Sequence, residues 1–311
     1  DFYPGNLYTS DDFLSGKTEE KAEKNISSSD YAYGTYRLLI IAPPDQYYTI
    51  CSYSLDYATR VFVNGSERVS FGNVADNAEE FVPKIGYMTL PVYSGTKGEI
   101  EIIYQYANYV HKDGGYIPST YISTPQNIEE LKDAKDLSSL TLSGGMMILA
   151  LYFLLSAAIR QRWIFLCLAF CCFLMAMRDQ NFFLLHLLPP DTSWYFAYRM
   201  FIVIVMLMPV SILLMLKCLY DRVTVHWPLY VYFVLAAGAA VLICILPTQK
   251  LVTVSAAIYY LSIPYLFYLI FGICRYTIKR KKIEIEDFLM FSGSAVLLAG
   301  MVYEALMTGK S

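Results

Sequence analysis

Charged residues are scarce in this chain. Asp, Glu, Lys and Arg make up 16% of its residues, whereas hydrophobic residues make up 56%. A soluble domain usually carries about a quarter charged residues. The composition therefore excludes an ordinary soluble protein and indicates that lipid is part of the chain's solvent.

Cysteine and histidine are also too few, or too far apart, to indicate a disulfide in the first half of the chain or a metal site. Of seven cysteines, only Cys51 precedes residue 138, so the first half of the chain is predicted to have no internal disulfide. Cys171 and Cys172 are adjacent but have no histidine or acidic residue nearby, and the three histidines share no metal-ligand spacing. We expect neither a metal site nor a cofactor.

Catalytic motifs are missing as well. The chain has no nucleophile elbow, no His-Glu-x-x-His sequence and no dinucleotide glycine pattern. The closing Thr-Gly-Lys-Ser sequence imitates a phosphate loop, but Glu304 stands where that loop needs glycine. We therefore expect no enzymatic activity in this chain. The first 15 residues are acidic and contain no apolar signal segment, so we also expect a trimmed start.

Six apolar stretches dominate residues 140–311. A membrane span needs about 20 predominantly apolar residues. The stretches that meet this length are residues 140–159, 163–183, 196–216, 228–246, 251–274 and 288–307. They predict a helical transmembrane bundle of six spans, with a seventh span lost from the C-terminal end.

Charge is distributed unevenly around these spans. Residues 1–137 hold 20 acidic and 11 basic side chains, so their balance is −9, and the remaining 7 acidic and 13 basic side chains give +6. Basic residues follow the first, third and fifth spans, and Lys and Arg accumulate on cytoplasmic loops. This predicts a multi-pass protein of the plasma membrane with its N-terminal domain outside the cell. The acidic balance of that domain argues against nucleic-acid binding.

The N-terminal region, residues 1–125, is predicted to be an all-β sandwich or jelly roll. Its strand candidates are rich in Tyr, Ile, Val and Thr and are separated by turn residues. They cover residues 35–42, 47–54, 60–64, 68–71, 85–93 and 99–106. Asn64-Gly65 predicts a tight hairpin. In the last strand we expect Ile100, Ile102, Tyr104 and Tyr106 to face the core.

Tyrosines are abundant in this predicted domain. Most are expected to be half-buried sheet residues, but some are predicted to line a groove that stacks on a polar ring such as a sugar. The predicted ligand-binding residues are Tyr57, Arg60, Asn64, Tyr87, Tyr109, His111 and Tyr116.

A connector at residues 126–139 alternates acidic residues, Lys and Leu and leads into the first span. It is either an amphipathic element that couples the N-terminal domain to the span or an inert linker.

Ionisable side chains near the outer ends of the spans form a second candidate site. Charges in a span are costly and usually paired or functional. We expect Asp179 or Glu304 to pair with Arg178 or Arg199 in a polar latch that ligand binding rearranges. The alternative is anchoring at the interface, with each side chain reaching the headgroups.

The β-rich head with its Arg60-Val-Phe-Val-Asn-Gly65 hairpin, joined by a short connector to the spans, resembles a bacterial family. It is similar to the seven-transmembrane receptors with diverse intracellular signalling modules. The resemblance implies an extracellular jelly roll like a carbohydrate-binding module, which detects a small molecule or glycan. It also implies a cytoplasmic output domain in cis, of histidine kinase (two-component) or diguanylate cyclase type, which we expect to have been lost together with the seventh span.

Two other classes stay open. A transporter or channel component would need paired discontinuous helices and midplane charges. A membrane-embedded transferase would need a His, Asp or Glu cluster at a membrane boundary. Whether the chain forms a homodimer is also open.

Overall fold

The structure, a computed structural model, describes residues 1–18, 32–54, 57–110, 120–179, 181–189, 191–219 and 226–280. They divide into two compact units. The first holds residues of Asp1–Ser138 together with Leu184–Tyr195, and the second holds residues of Ser139–Phe183 and of Phe196 onward. The first unit is mostly antiparallel β-sheet and the second is helical.

Two antiparallel sheets form the β-sandwich of the first unit. The strands are β1 (Phe2–Pro4), β2 (Tyr33–Ile41), β3 (Tyr47–Ser54), β4 (Ala58–Val63), β5 (Ser66–Phe71), β6 (Gly86–Tyr93), β7 (Glu99–Ala107) and β8 (Thr120–Ser123). One sheet has the order β1-β2-β7-β4-β5 and the other β6-β3-β8. All six predicted strands are confirmed to within two residues. The two strands that sequence reasoning missed, β1 and β8, are three and four residues long.

The predicted hairpin is confirmed between β4 and β5. Asn64 and Gly65 both have positive φ, 48° and 85°, which suits the right-handed twist of the strands that they join. Phe62 pairs with Glu67 but Val61 pairs with Val69, so one residue of β5, Arg68, has no register partner. This β-bulge lies in β5, shortly after the turn.

The predicted inner face of β7 is also confirmed. Ile100, Ile102, Tyr104 and Tyr106 lie in one hydrophobic cluster with Ile50 of β3 and with Met88, Leu90 and Val92 of β6. The cluster joins side chains from both sheets, as the core of a sandwich does. Burial of this apolar surface is the main stabilisation of the fold.

The opposite face of β7 is partly buried too. Ile103 and Gln105 are at most 1% exposed. The N-terminal segment, which contains helix α1 (Ser10–Leu14), accounts for part of this burial. Gln105 donates from Nε2 to the Tyr8 carbonyl at 2.9 Å, and Arg37 lies over the Phe13 ring while it pairs with Glu101.

Helices follow the sandwich: α2 (Pro125–Arg160), α3 (Trp163–Met177), α4 (Trp194–Leu219), α5 (His226–Ile245) and α6 (Leu251–Arg280), with a π-helix at Asn181–Leu187 and a 3-10 turn at Thr248–Lys250. Within the described residues, four helices are long and apolar enough to cross a membrane, namely α2, α4, α5 and α6. This makes the chain a multi-pass membrane protein.

The prediction of six spans is therefore not met in full. The stretch at residues 163–183 is not one helix, because α3 ends at Met177 and its 15 residues extend only about 22 Å, short of the ~30 Å hydrocarbon core. The sixth predicted span, residues 288–307, lies outside the described residues.

Candidate functional site

Tyr57 lies in the core of the sandwich and not in a surface groove. Its side chain is 2% exposed, and its hydroxyl lies 3.4 Å from both Ser52 Oγ and Tyr104 Oη. These polar neighbours satisfy the phenol inside the protein, which allows complete burial. The expectation that Tyr57 leaves the core is wrong.

Arg60 and Asn64 lie on the five-stranded sheet. Arg60 is half-buried and stands between Ser70 and Gln105 in the register, so it lies on the face turned away from the core cluster. Asn64 is exposed, but its Oδ1 accepts a 2.9 Å hydrogen bond from the Glu101 N–H, and its own N–H donates to the Glu101 carbonyl at 3.0 Å. Asn64 therefore ties the hairpin to β7.

Tyr87 and Tyr109 have other neighbours in the structure. Tyr109 is half-buried between the rings of Tyr33 and Phe81, and burial raises the pKa of its phenol to about 12. Tyr87, on the other sheet, has the Lys132 ammonium 4.3 Å above its ring. His111 and Tyr116 are outside the described residues. The described members of the predicted set therefore do not converge on one groove.

A different pair of tyrosines is presented to solvent on the three-stranded sheet. Tyr47 and Tyr93 are register partners on β3 and β6, with exposures of 66% and 43% and ring centroids 4.9 Å apart. The Tyr93 hydroxyl donates to Asp45 Oδ1 at 2.8 Å, and this bond raises the pKa of Tyr93. We call Asp45, Tyr47 and Tyr93 the tyrosine platform.

Two loops hold the platform in place. Asp45 has a positive φ of 56°, and its N–H donates to the Gly95 carbonyl at 2.9 Å. Ser94 Oγ donates to the Pro43 carbonyl at 2.8 Å and accepts from the Gln46 N–H at 3.0 Å. The Ser94 N–H also donates to the Gln46 carbonyl, at 2.9 Å. The carboxylate thus stands on a loop that is bonded to the end of β6.

Further along the same face, the sheet is covered. Cys51 is 2% exposed, and burial raises the pKa of its thiol, while the positive charges of Lys135 and Lys132 act in the opposite direction. Those lysines belong to the first turns of α2, and Lys132 is also the residue over Tyr87. The platform and the attachment of α2 therefore share strands β3 and β6.

Sequence reasoning placed Tyr47 and Tyr93 inside predicted strands but did not single them out. Alternation along each strand shows which residues share a face, but not which face is solvated. The available signal was their position at the ends of two strands next to Asp45 in a Pro-Pro-Asp-Gln turn. As for metals, no cluster of three or more His, Cys, Asp or Glu side chains occurs in the part of the chain that the structure describes.

Two residues of the predicted latch, Asp179 and Arg199, bind backbone groups. Asp179 Oδ1 accepts from the Phe182 N–H at 3.1 Å, which caps the π-helix that begins at Asn181. Arg178 is the exposed C-cap residue of α3. Arg199 donates from Nη1 to the Ile243 carbonyl and from Nη2 to the Leu246 carbonyl, the latter at 2.9 Å.

Arg199 therefore binds the C-terminal end of α5 and does not pair with Asp179. The last carbonyls of a helix have no intrahelical partner, and the helix dipole makes that end negative, so a guanidinium is a favourable cap. An Asp179–Arg199 ion pair was the wrong expectation for these two residues. Pairing through Glu304 concerns a residue outside the described part of the chain.

Replacing Arg199 with methionine is expected to destabilise the helical unit by about 1–3 kcal/mol, because two charge-assisted hydrogen bonds are lost. Arg199→Lys should recover part of this loss. Unfolding of the full chain in detergent would measure both. In a double-mutant cycle with Asp179→Asn, the two changes in the free energy of unfolding should be additive. A coupling energy above about 1 kcal/mol would instead indicate that Asp179 and Arg199 interact, as the latch hypothesis requires.

Neither a protein-family model nor a curated protein matches this chain.

Proposed function

We propose that this protein is a membrane receptor. In this proposal, its β-sandwich lies outside the cell and binds a glycan or another small polyhydroxylated molecule on the tyrosine platform. Helix α2 then carries the change toward the cytoplasm, where an output domain in cis responds. The observation on which the proposal chiefly rests is the exposed Tyr47–Tyr93 pair beside the Asp45 carboxylate.

The chemistry of the platform supports a sugar as ligand. A pyranose ring has an apolar C–H face that packs on an aromatic ring, and hydroxyls at its rim that need hydrogen-bond partners. Tyr47 and Tyr93 offer exposed rings of this kind on a sheet. The Asp45 carboxylate accepts one bond from Tyr93 and has further lone pairs for hydroxyl donors.

The strand order supports the jelly-roll prediction. In a jelly roll, strands 2, 7, 4 and 5 form one sheet and strands 1, 8, 3 and 6 form the other. Here β2-β7-β4-β5 and β8-β3-β6 follow these orders, while β1 pairs with β2 and not with β8. The match in seven of eight strands favours the extracellular domain that the family resemblance implies.

Continuity of the chain between β8 and Arg160 supports signal transfer through α2. The predicted connector is not a separate linker, because α2 begins at Pro125 and runs to Arg160 without a break. Asn127 Nδ2 donates to Ser123 Oγ of β8 at 3.1 Å, and Lys132 covers Tyr87. A change along β6 would therefore reach the first turns of a helix that is also a candidate span.

Two observations support an orientation with the sandwich outside the cell, namely the position of the basic residues and the composition of the first unit. Leu184–Tyr195, which follows α3, belongs to the same unit as the sandwich, and His186 Nε2 lies 3.5 Å from Asp136 Oδ1 of α2. The start of α2 and the segment after α3 thus lie together. This is the arrangement expected if α3, together with the π-helix that follows it, returns the chain to the side of the membrane on which α2 begins. The basic residues Arg160 and Arg162 then lie at the cytoplasmic end.

The test is a ligand screen with the full chain in detergent or nanodiscs. A glycan and metabolite panel is read by thermal shift, since a ligand that binds only the folded state raises the melting temperature. Tyr47→Ala and Tyr93→Ala should each lower the affinity for a ligand found in the screen about tenfold, because a packed aromatic ring contributes about 1.5 kcal/mol to binding.

Tyr121→Ala is the matched control, because Tyr121 is an exposed tyrosine of the same sheet, level with Cys51 and not with Asp45. If a ligand binds both platform variants with the affinity of the wild type, its binding site lies outside the tyrosine platform. A folded protein that responds to nothing in the panel would count against a sugar sensor and favour a protein partner.

A further inference from the structure

Two cysteines from different helices meet within the helical unit. Cys167 Sγ of α3 and Cys218 Sγ of α4 lie 3.5 Å apart, although 51 residues separate them in sequence. Both are free thiols. A disulfide requires an S–S distance of about 2.05 Å, so the two sulfurs need to approach by roughly 1.5 Å. Side-chain rotation with a small helix shift supplies a movement of that size.

The position of the pair makes it accessible to soluble reagents. Cys167 is the fifth residue of α3, about 6 Å along the axis from Trp163, and Cys218 is the penultimate residue of α4. Arg162 immediately precedes α3 and Lys217 immediately precedes Cys218. Basic residues of this kind mark the end of a span that meets water, and by the charge rule the cytoplasmic end.

We propose that Cys167 and Cys218 form a reversible disulfide that locks α3 to α4, so that this pair is a redox-sensitive modification site. In a reducing compartment a disulfide is typically transient and sensing, not structural. The proposal does not depend on the tyrosine platform or on any ligand.

The chemistry needs one oxidant, a low-molecular-weight disulfide such as oxidised glutathione. Cys218, the more exposed of the two, attacks one sulfur of the oxidant as a thiolate and expels the first thiol. The Cys167 thiolate then attacks the Cys218 sulfur of the mixed disulfide and expels the second thiol. Two protein thiols are oxidised to one disulfide, and one small disulfide is reduced to two thiols.

The experiment uses the full chain in nanodiscs, treated with oxidised glutathione, quenched, unfolded and alkylated with a maleimide polymer. The reduced chain has seven thiols. We expect five modified thiols after oxidation, seven again after dithiothreitol, and a Cys167–Cys218 linked peptide by mass spectrometry. The oxidised protein should also melt at a higher temperature than the reduced protein.

Cys167→Ser and Cys218→Ser should each abolish the linked peptide, whereas Cys244→Ser should keep it, because Cys244 is an exposed thiol of α5 that bonds to its own helix. Melting of the reduced variants near the reduced wild-type temperature verifies that they fold. Seven reactive thiols after oxidation of the wild type would overturn the proposal. So would a disulfide that persists in Cys218→Ser, which would identify a different pair.

Discussion

Replacing Gly98 with alanine is expected to lower the stability of the sandwich by at least about 2 kcal/mol. Gly98 has a φ of +70°, a conformation that costs an L-residue about 1–2 kcal/mol. A Cβ at this position would lie 2.2 Å from the Ala42 carbonyl oxygen, which is backbone and has no flexible side chain to move aside. The 2.8 Å bond from the Ala42 N–H to the Gly98 carbonyl would be strained as well.

Gly95 provides the matched control in the same loop. Its φ is +67°, but nothing lies within 4 Å of a Cβ built there. Gly95→Ala should therefore show only the conformational cost, about 1–2 kcal/mol, and the difference between the two variants isolates the clash with Ala42. Thermal unfolding of the full chain, followed by the circular dichroism of the β-sheet, would measure both. Equal effects of the two substitutions would contradict this account.

The same variants also test how the platform is held. Asp45 donates its N–H to the Gly95 carbonyl, and the segment from Pro43 to Gln46 is bonded to the residues that follow β6. A shift of Ala42 moves this segment, so Gly98→Ala should also lower the affinity of the platform for any ligand that it binds. Gly95→Ala should leave that affinity nearly unchanged.

Local sequence signals predicted the strands well. The six predicted strands are runs of Tyr, Val, Ile and Thr between turn residues, and the Asn64-Gly65 turn needs only its own two residues to select its geometry. Such features depend on near neighbours in the chain. They are therefore readable without knowledge of the fold.

The faces of those strands were harder to predict because burial depends on distant partners. Tyr57 and Tyr47 have the same side chain, yet one is 2% and the other 66% exposed. Ser52 and Tyr104 supply the polar contacts that bury Tyr57, and neither is adjacent to it in sequence. The tyrosine platform was missed for the same reason.

In the membrane half, hydropathy found the apolar residues but not where each helix ends. The stretch at residues 163–183 is apolar on average, yet α3 stops at Met177, and Asp179 caps a new π-helical turn. Arg199 showed a similar limit. Its charge in an apolar stretch predicts a partner, but that partner was expected to be a carboxylate. Its partners are instead backbone carbonyls at the end of α5, which the sequence does not distinguish from any others.

Replacing Ser138 with proline is expected to separate ligand binding from its effect on the membrane helices. Ser138 lies inside α2, thirteen residues after Pro125. Proline there removes one helix hydrogen bond and clashes with the preceding turn, at a cost of about 3 kcal/mol or more. The tyrosine platform is on β3 and β6, so the affinity for the ligand selected in the screen should stay within about twofold, well under 1 kcal/mol.

Hydrogen exchange is the measurement that distinguishes the two parts. In the wild type, we expect the ligand to change amide protection both in the sandwich and in α4 to α6. In Ser138→Pro the change in the sandwich should remain and the change in the helices should disappear. Ser138→Ala keeps the helix intact and should behave like the wild type, since alanine is the best helix former. If the helices of Ser138→Pro still respond, the signal does not travel through α2, and the receptor mechanism proposed above needs another route.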